Sequence, residues 1–133
     1  MSVLYFASVV DGIGERLQAA IEASVPVQER IEVYRKVDDL TYRLRQFRSN
    51  LTVAVILAAN QDELTNLLSI KELIRDVPVI MVLPDREQVT IRKGFALRPR
   101  YFTVVDSDFS DVTAVLNKML GCRQENKLNK RDG

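Results

Sequence analysis

The chain of 133 residues contains no histidine and a single cysteine, Cys122. Without histidine there can be no Ser-His or Cys-His nucleophile pair, no imidazole metal ligand and no phosphohistidine. One cysteine cannot close an internal disulfide or build a thiolate metal cluster, and Cys122 falls just past the last helical pattern, where an incidental role is expected over a catalytic one. Excess charge is missing as well. The 19 basic and 18 acidic residues leave a formal net charge of +1, which gives no global field for nucleic acid, anionic lipid or acidic substrates. No apolar run approaches the roughly 20 residues that a bilayer span requires. The opening MSVLYFAS has no basic stretch before it and runs straight into a strand pattern. These absences point to a cytoplasmic domain that engages neither nucleic acid nor membrane. The length suits one domain, which would bury roughly two-thirds of its unfolded surface without a staple.

What is present is organised around Leu51 to Ala59, LTVAVILAA, an uncharged run that reads as the central strand of a sheet covered on both faces. Before it, SVLYFA (2–7) reads as a first buried strand. Leu17, Ala20, Ile21 and Ser24 then recur at helical spacing within 11–24, a helix ended by Pro26. In RIEVYRK, Ile31 and Val33, with Arg35 as an outer limit, alternate with polar neighbours as in an edge strand. Val37, Leu40, Leu44 and Phe47 predict a second helix over 37–48, with Arg43, Arg45 and Arg48 on its opposite face. After the central strand, Leu64, Leu67, Leu68 and Ile74 predict a third helix over 61–75. VPVIMVL (77–83), opened by Pro78 and bounded by Pro84, is a fully apolar fourth strand. A fourth helix over 85–97 has Val89 and Phe95 as its apolar residues and Gly94 as a weak point. RYFTVV (100–105) is a fifth strand, and Val112, Val115, Leu116 and Met119 mark a last helix ending at Gly121. Residues 122–133, with Lys127, Lys130 and Arg131, form a polar tail or linker outside a domain of residues 1–121.

Five strands alternating with five helices specify a parallel sheet, because each crossover needs a helix to cover it. Right-handed crossovers and the buried third strand favour the flavodoxin-like order 2-1-3-4-5 in an αβα sandwich. Helices one and five would cover one face and helices two to four the other. In such sheets ligands bind outside the carboxyl ends of the strands, where this chain carries Ala58 and Ala59.

With five βα units and the stretch ELTNLLSIKELIRDVPVIMVL, residues 63–83, the chain resembles the receiver domain of bacterial response regulators. The resemblance covers residues 2–120. Receivers of that family accept a phosphoryl group from a histidine kinase onto an aspartate ending strand three. An acidic pair after strand one holds Mg²⁺, a Ser or Thr ends strand four and a Lys ends strand five. In this sequence the acidic pair falls on Ala7 and Ser8, the acceptor on Ala58, the hydroxyl on Leu83 and the lysine on Val104 or Val105. Shifting the alignment by one, to Leu57, Ala59, Val82 or Pro84, restores none of these groups. The resemblance therefore implies a pseudo-receiver: no enzyme, no cofactor, no metal, and a role as a protein-interaction or dimerisation module in signal transduction. A nucleotide or phosphate sensor using the strand-end crevice is the alternative, and an atypical phosphoacceptor using Asp62 or Asp11 is a third.

The remaining candidates divide between local structure and function. Asp11, Asn60, Asp62, Asp85, Asp106 and Asp108 follow strands, where helices start. Asn60 with Glu63, and Asp85 with Gln88, have capping-box spacing, so capping is expected ahead of a weak cation site. Gly12 and Gly14 in SVVDGIG could face backbone amides to a phosphate, but only Ser8 adds a hydroxyl there and a tight turn is the better explanation of two glycines. Arg92, Lys93, Arg98 and Arg100 lie near Asp106, Asp108 and Asp111 in the sequence. In receivers the surface of helix four, strand five and helix five mediates dimerisation or partner binding, and Tyr101 or Phe102 resembles the aromatic switch residue of that surface. This is the candidate interface, with a protein partner in a signalling pathway or a second copy as its occupant.

Overall fold

A computed structural model describes residues 2–10, 12–46 and 50–120. Asp11, the end of the expected second helix at 47–48, Gly121, Cys122 and the polar tail lie outside the described residues. The strands are β1 (Ser2–Ala7), β2 (Arg30–Tyr34), β3 (Leu51–Leu57), β4 (Val79–Leu83) and β5 (Tyr101–Val104). All four pairings are parallel, in the order β2-β1-β3-β4-β5. The helices are α1 (Ile13–Ser24), α2 (Val37–Leu44), α3 (Gln61–Leu68), α4 (Lys71–Ile74) and α5 (Gln88–Ala96), with α6 over 110–120. This is the fold expected from the pattern of apolar runs.

The covering helices follow from the alternation of side chains along β3. Val53, Val55 and Leu57 point to one face, where they meet Leu17 and Ile21 of α1 and Val112 and Leu116 of α6. Ala54, Ile56 and Ala58 point to the other, with Leu40 and Leu44 of α2, Leu64 and Leu67 of α3 and Ile74 of α4. All six are at most 2 % exposed, so every β3 side chain from Val53 onward is in a core and the backbone polar groups must be met by β1 and β4.

Two local expectations are corrected, and the inner face of α5 is one that the apolar pattern did not reveal. The third helix divides at Ser69 and Ile70, where the Ser69 hydroxyl donates to the Asn66 carbonyl and Ile70 is buried. Arg43 is not on the solvent face of α2. It is 9 % exposed, with its Nε 2.6 Å from Glu32 and its guanidinium also donating to Asn50 at 3.0 Å, and so it ties α2 to the β2 edge. Burial opposes ionisation of Glu32, but hydrogen bonds from Arg43, Tyr34 and Ser2 outweigh it and hold the carboxyl below its usual range. In α5 the inward residues are Thr90, Ile91, Gly94 and the following Leu97, so Val89 and Phe95 are exposed. Two of those inward residues are small or polar and leave no hydrophobic signature.

Gly94 is inward because Leu83 occupies the space a side chain would need. A Cβ at Gly94 would lie 2.8 Å from a Leu83 methyl. In Gly94→Ala the helix-propensity gain of about 1 kcal/mol should be exceeded by overpacking of roughly 1–3 kcal/mol. Urea unfolding should therefore show a net loss of about 1 kcal/mol, recovered when Leu83→Val is added.

Candidate functional site

The carboxyl ends of β1, β3 and β5 and the start of α1 border a shallow crevice of about 200 Å³ lined by Val9, Ile13, Leu57, Ala59 and Val105. Every lining side chain is apolar. Ala59 and Leu57 form its floor on the β3 side, whereas Ala58 is fully buried and belongs to the opposite core with Leu40 and Leu64. Ala7 is also fully buried, Ser8 is exposed and Leu83 points onto Gly94. Thus of the five positions matched to receiver chemistry only Val105 lines the crevice, and its side chain carries no cation.

The rim was not legible in the sequence. Arg35, just past β2, reaches across to the end of β1 and donates to the carbonyls of Ala7 (3.1 Å) and Val9 (3.3 Å) and to Gln18 (2.8 Å). It thereby satisfies the carbonyls that a strand end leaves without partners. Beneath the loop, the Tyr5 hydroxyl donates to the Gly14 carbonyl at 2.8 Å. Burial pushes this phenol up to about 12, against a smaller opposing effect of Arg35. Phe109, 1 % exposed and held at φ 65°, fills the α1–α6 core with the Arg16 guanidinium 5.3 Å from its ring centroid. Tyr5 and Phe109 show in the sequence only as aromatics indistinguishable from ordinary core, and Arg35 only as a charge at the end of a strand pattern.

The glycine loop has a structural explanation. Gly12 is the N-cap of α1 with φ 61° and ψ −118°, a conformation closed to other residues. At Gly14 a Cβ would lie 2.0 Å from the Val9 carbonyl oxygen. Both glycines are required by the turn itself.

The acids are engaged one by one. Asn60 accepts from the Glu63 amide at 2.8 Å, while Glu63 accepts from the Ala59 amide at 2.9 Å, a displaced capping box. Asp85 does not box with Gln88. It accepts from the Glu87 amide at 2.9 Å. The facing Thr90 hydroxyl, then the Glu87 amide and Gln61, hold Asp85 below its ordinary range, although the buried Thr90 hydroxyl does not close a full hydrogen bond. Asp106 pairs with Arg86 across two exposed loops. Asp108 takes the Ser110 amide and hydroxyl, and Asp62 is exposed on the first turn of α3. Burial would raise Asp111, but donation from Tyr101, Thr103, Ser107 and the Val112 amide outweighs it and lowers its titration. Among the described residues no three Asp, Glu, His or Cys side chains are grouped to hold a metal ion. The residues lining the crevice do not fit Mg²⁺, a hard cation that needs oxygen ligands.

The candidate interface separates along β5. Arg98 and Arg100 precede the strand, at the end where the Arg100 amide donates to Val79, and Asp106 and Asp108 follow it, beyond the Val105–Leu83 bond. Lys93 turns to α3 and donates to Thr65 at 2.9 Å, and Arg92 is exposed. The two aromatics of β5 part company: the Tyr101 hydroxyl donates to Asp111 at 2.8 Å, whereas Phe102 packs on the α5 face, edge-on to Phe95 with ring centroids 4.9 Å apart. Phe95, 54 % exposed, stands beside the candidate interface, although the sequence analysis did not include it there.

An aspartate at position 58 would enter a dry core with no donor. Ala58→Asp should cost on the order of 3 kcal/mol. Its folded-state titration should be raised above the unfolded value, so the penalty is smallest below about pH 4 and grows as pH rises through the folded value. Thermal melts between acid and neutral pH check this; a penalty that shrinks with rising pH contradicts the burial of Ala58.

No protein-family model matches the sequence, and no curated protein matches it. Among solved structures, the fold is similar to a response regulator receiver protein from Pseudoalteromonas atlantica. The TM-score is 0.64 at 11 % identity, over 96 % of this chain and 99 % of that one. Among the described residues no helix is long and apolar enough to cross a membrane.

Proposed function

We propose that this chain is a pseudo-receiver: a receiver-like domain whose phosphoryl-transfer site is replaced by apolar side chains, acting as a protein-interaction module in bacterial signal transduction. The observation that carries this reading is that the positions matched to the acceptor, the hydroxyl and the cation hold Ala58 and Leu83, both buried, and Val105, which lines an apolar crevice with Val9, Ile13, Leu57 and Ala59. Phosphoryl transfer to a carboxylate needs a nucleophile, a divalent cation and a cationic partner for the transferred oxygens. The crevice lining supplies none of them. In this reading the domain is no enzyme and works in the cytoplasm through a fixed surface, since a conformational equilibrium shifts only under a ligand that distinguishes its two states.

That surface is α5, β5 and α6, and a second copy of the chain is the occupant it fits best. No strand pairs with the outer edge of β5 among the described residues, and Phe95 stands exposed beside it. Positive charge gathers at the amino end of the face (Arg98, Arg100) and negative charge at the carboxyl end (Asp106, Asp108). A two-fold axis across the face would oppose the basic end of one copy to the acidic end of the other, the self-complementarity of an isologous dimer. The glycine loop and apolar crevice give less support to a nucleotide or phosphate sensor at the strand ends.

Sedimentation equilibrium tests the reading. A concentration-dependent dimer is expected, weakened by salt and weakened by about tenfold or more in Phe95→Ser, the scale of one lost aromatic anchor. A chain that stays monomeric at millimolar concentration, or a dimer indifferent to Phe95→Ser, would contradict the α5–β5–α6 face.

A further inference from the structure

At the opposite end of the sheet from the crevice, α4 and the carboxyl end of α5 enclose a groove of about 170 Å³. Its lining is Lys71, Glu72, Arg75, Ala96, Leu97 and Arg98. We infer that this groove is a binding site for a small phosphate-bearing anion.

Charge sets the sign of the ligand. Three cations face one carboxylate, Glu72, which is already paired with Arg75 at 2.9 Å. Both partners of that pair are more than 60 % exposed, so it is weak enough to exchange for a better anion. Lys71 and Arg98 have no acidic partner among the described residues. The excess of two positive charges matches a phosphate dianion, and two guanidinium forks with an ammonium suit a tetrahedral oxyanion. The carboxyl end of α5 favours one nearby cation through its dipole, but it does not account for three.

Arg98 is the second observation. Its amide donates to the Phe95 carbonyl as α5 ends, and its backbone is left-handed, φ 53°. This is the place after a helix where glycine is usual. An arginine there sacrifices local stability at a position that lines the groove, the kind of local exception expected where a side chain serves binding.

Size and polarity set the class. The groove corresponds to roughly five or six waters at the volume water occupies in the liquid, enough for a phosphate and a short substituent but not for a helix or a nucleic-acid strand. Ala96, exposed at the end of α5, gives an apolar patch for that substituent, so a monoester with an apolar group should bind more tightly than inorganic phosphate.

The test is an amide NMR titration of the full chain with inorganic phosphate and with phenyl phosphate, against sodium chloride at equal ionic strength. Saturable shifts are expected at residues 71–75 and 96–98, with phenyl phosphate the tighter ligand. Glu72→Gln, which removes the competing carboxylate, should tighten binding by about threefold. Arg98→Gly should weaken it by roughly fivefold or more while raising the melting temperature, because glycine fits the left-handed backbone. That divergence between stability and binding is not expected of a purely structural arginine. The inference is overturned by shifts that chloride reproduces, by saturation confined to other residues, or by unchanged affinity in Arg98→Gly. Arg98 also stands at the basic end of the proposed dimer face, so the titration is repeated in Phe95→Ser: anion binding that persists there supports a groove independent of the dimer, and binding that disappears with the dimer overturns it.

Discussion

Burial of β3 on both faces is the constraint from which the rest of the molecule follows. A strand with no solvent-facing side needs a layer of helices above and below and a parallel neighbour on each edge, which β1 and β4 provide. It also determines what the strand can present at its carboxyl end. Leu57 and Ala58 point into opposite cores and Ala59 lies in the crevice floor, so the crevice inherits the apolar character of the strand. A carboxylate there would need water, a cation or donors nearby to remain ionised.

Around that crevice, groups that could carry chemistry are engaged in holding the ends of elements. Arg35 satisfies the carbonyls at the end of β1, Asn60 and Asp108 satisfy helix amides, and Asp111 ties α6 to Tyr101 of β5. Gly12 and Gly14 let the first loop turn tightly over Tyr5. The architecture of a ligand-binding α/β sheet is kept, but its polar groups close local hydrogen bonds and its loops close on apolar side chains.

The fold was legible because strands and helices here have contrasting signatures: unbroken apolar runs for β1, β3 and β4, and leucines at helical spacing for α2 and α3. The caps were partly legible, since Asn60 and Glu63 stand at the required spacing. What the sequence concealed depended on small or charged residues in unusual places. Thr90 and Gly94 lie on the inner face of α5, and the apolar Val89 and Phe95 are exposed, so the pattern did not reveal which face is inward. Arg43 is charged yet buried, because Glu32 approaches from a strand eleven residues earlier. Arg98 and Asp106 are close in sequence but separated by the length of β5. Spacing along the chain records neighbours on one element, whereas these features depend on which elements meet.

The most direct measurement is an amide NMR titration with Mg²⁺ followed by beryllofluoride, a mimic of the phosphoryl group. A closed, apolar crevice predicts no saturable shift at residues 57–60 or at Asp106, and none relayed to Phe102. Saturable shifts at those amides, spreading to Phe102, would mean that the strand ends still take a cation and a phosphoryl group, and would contradict the account.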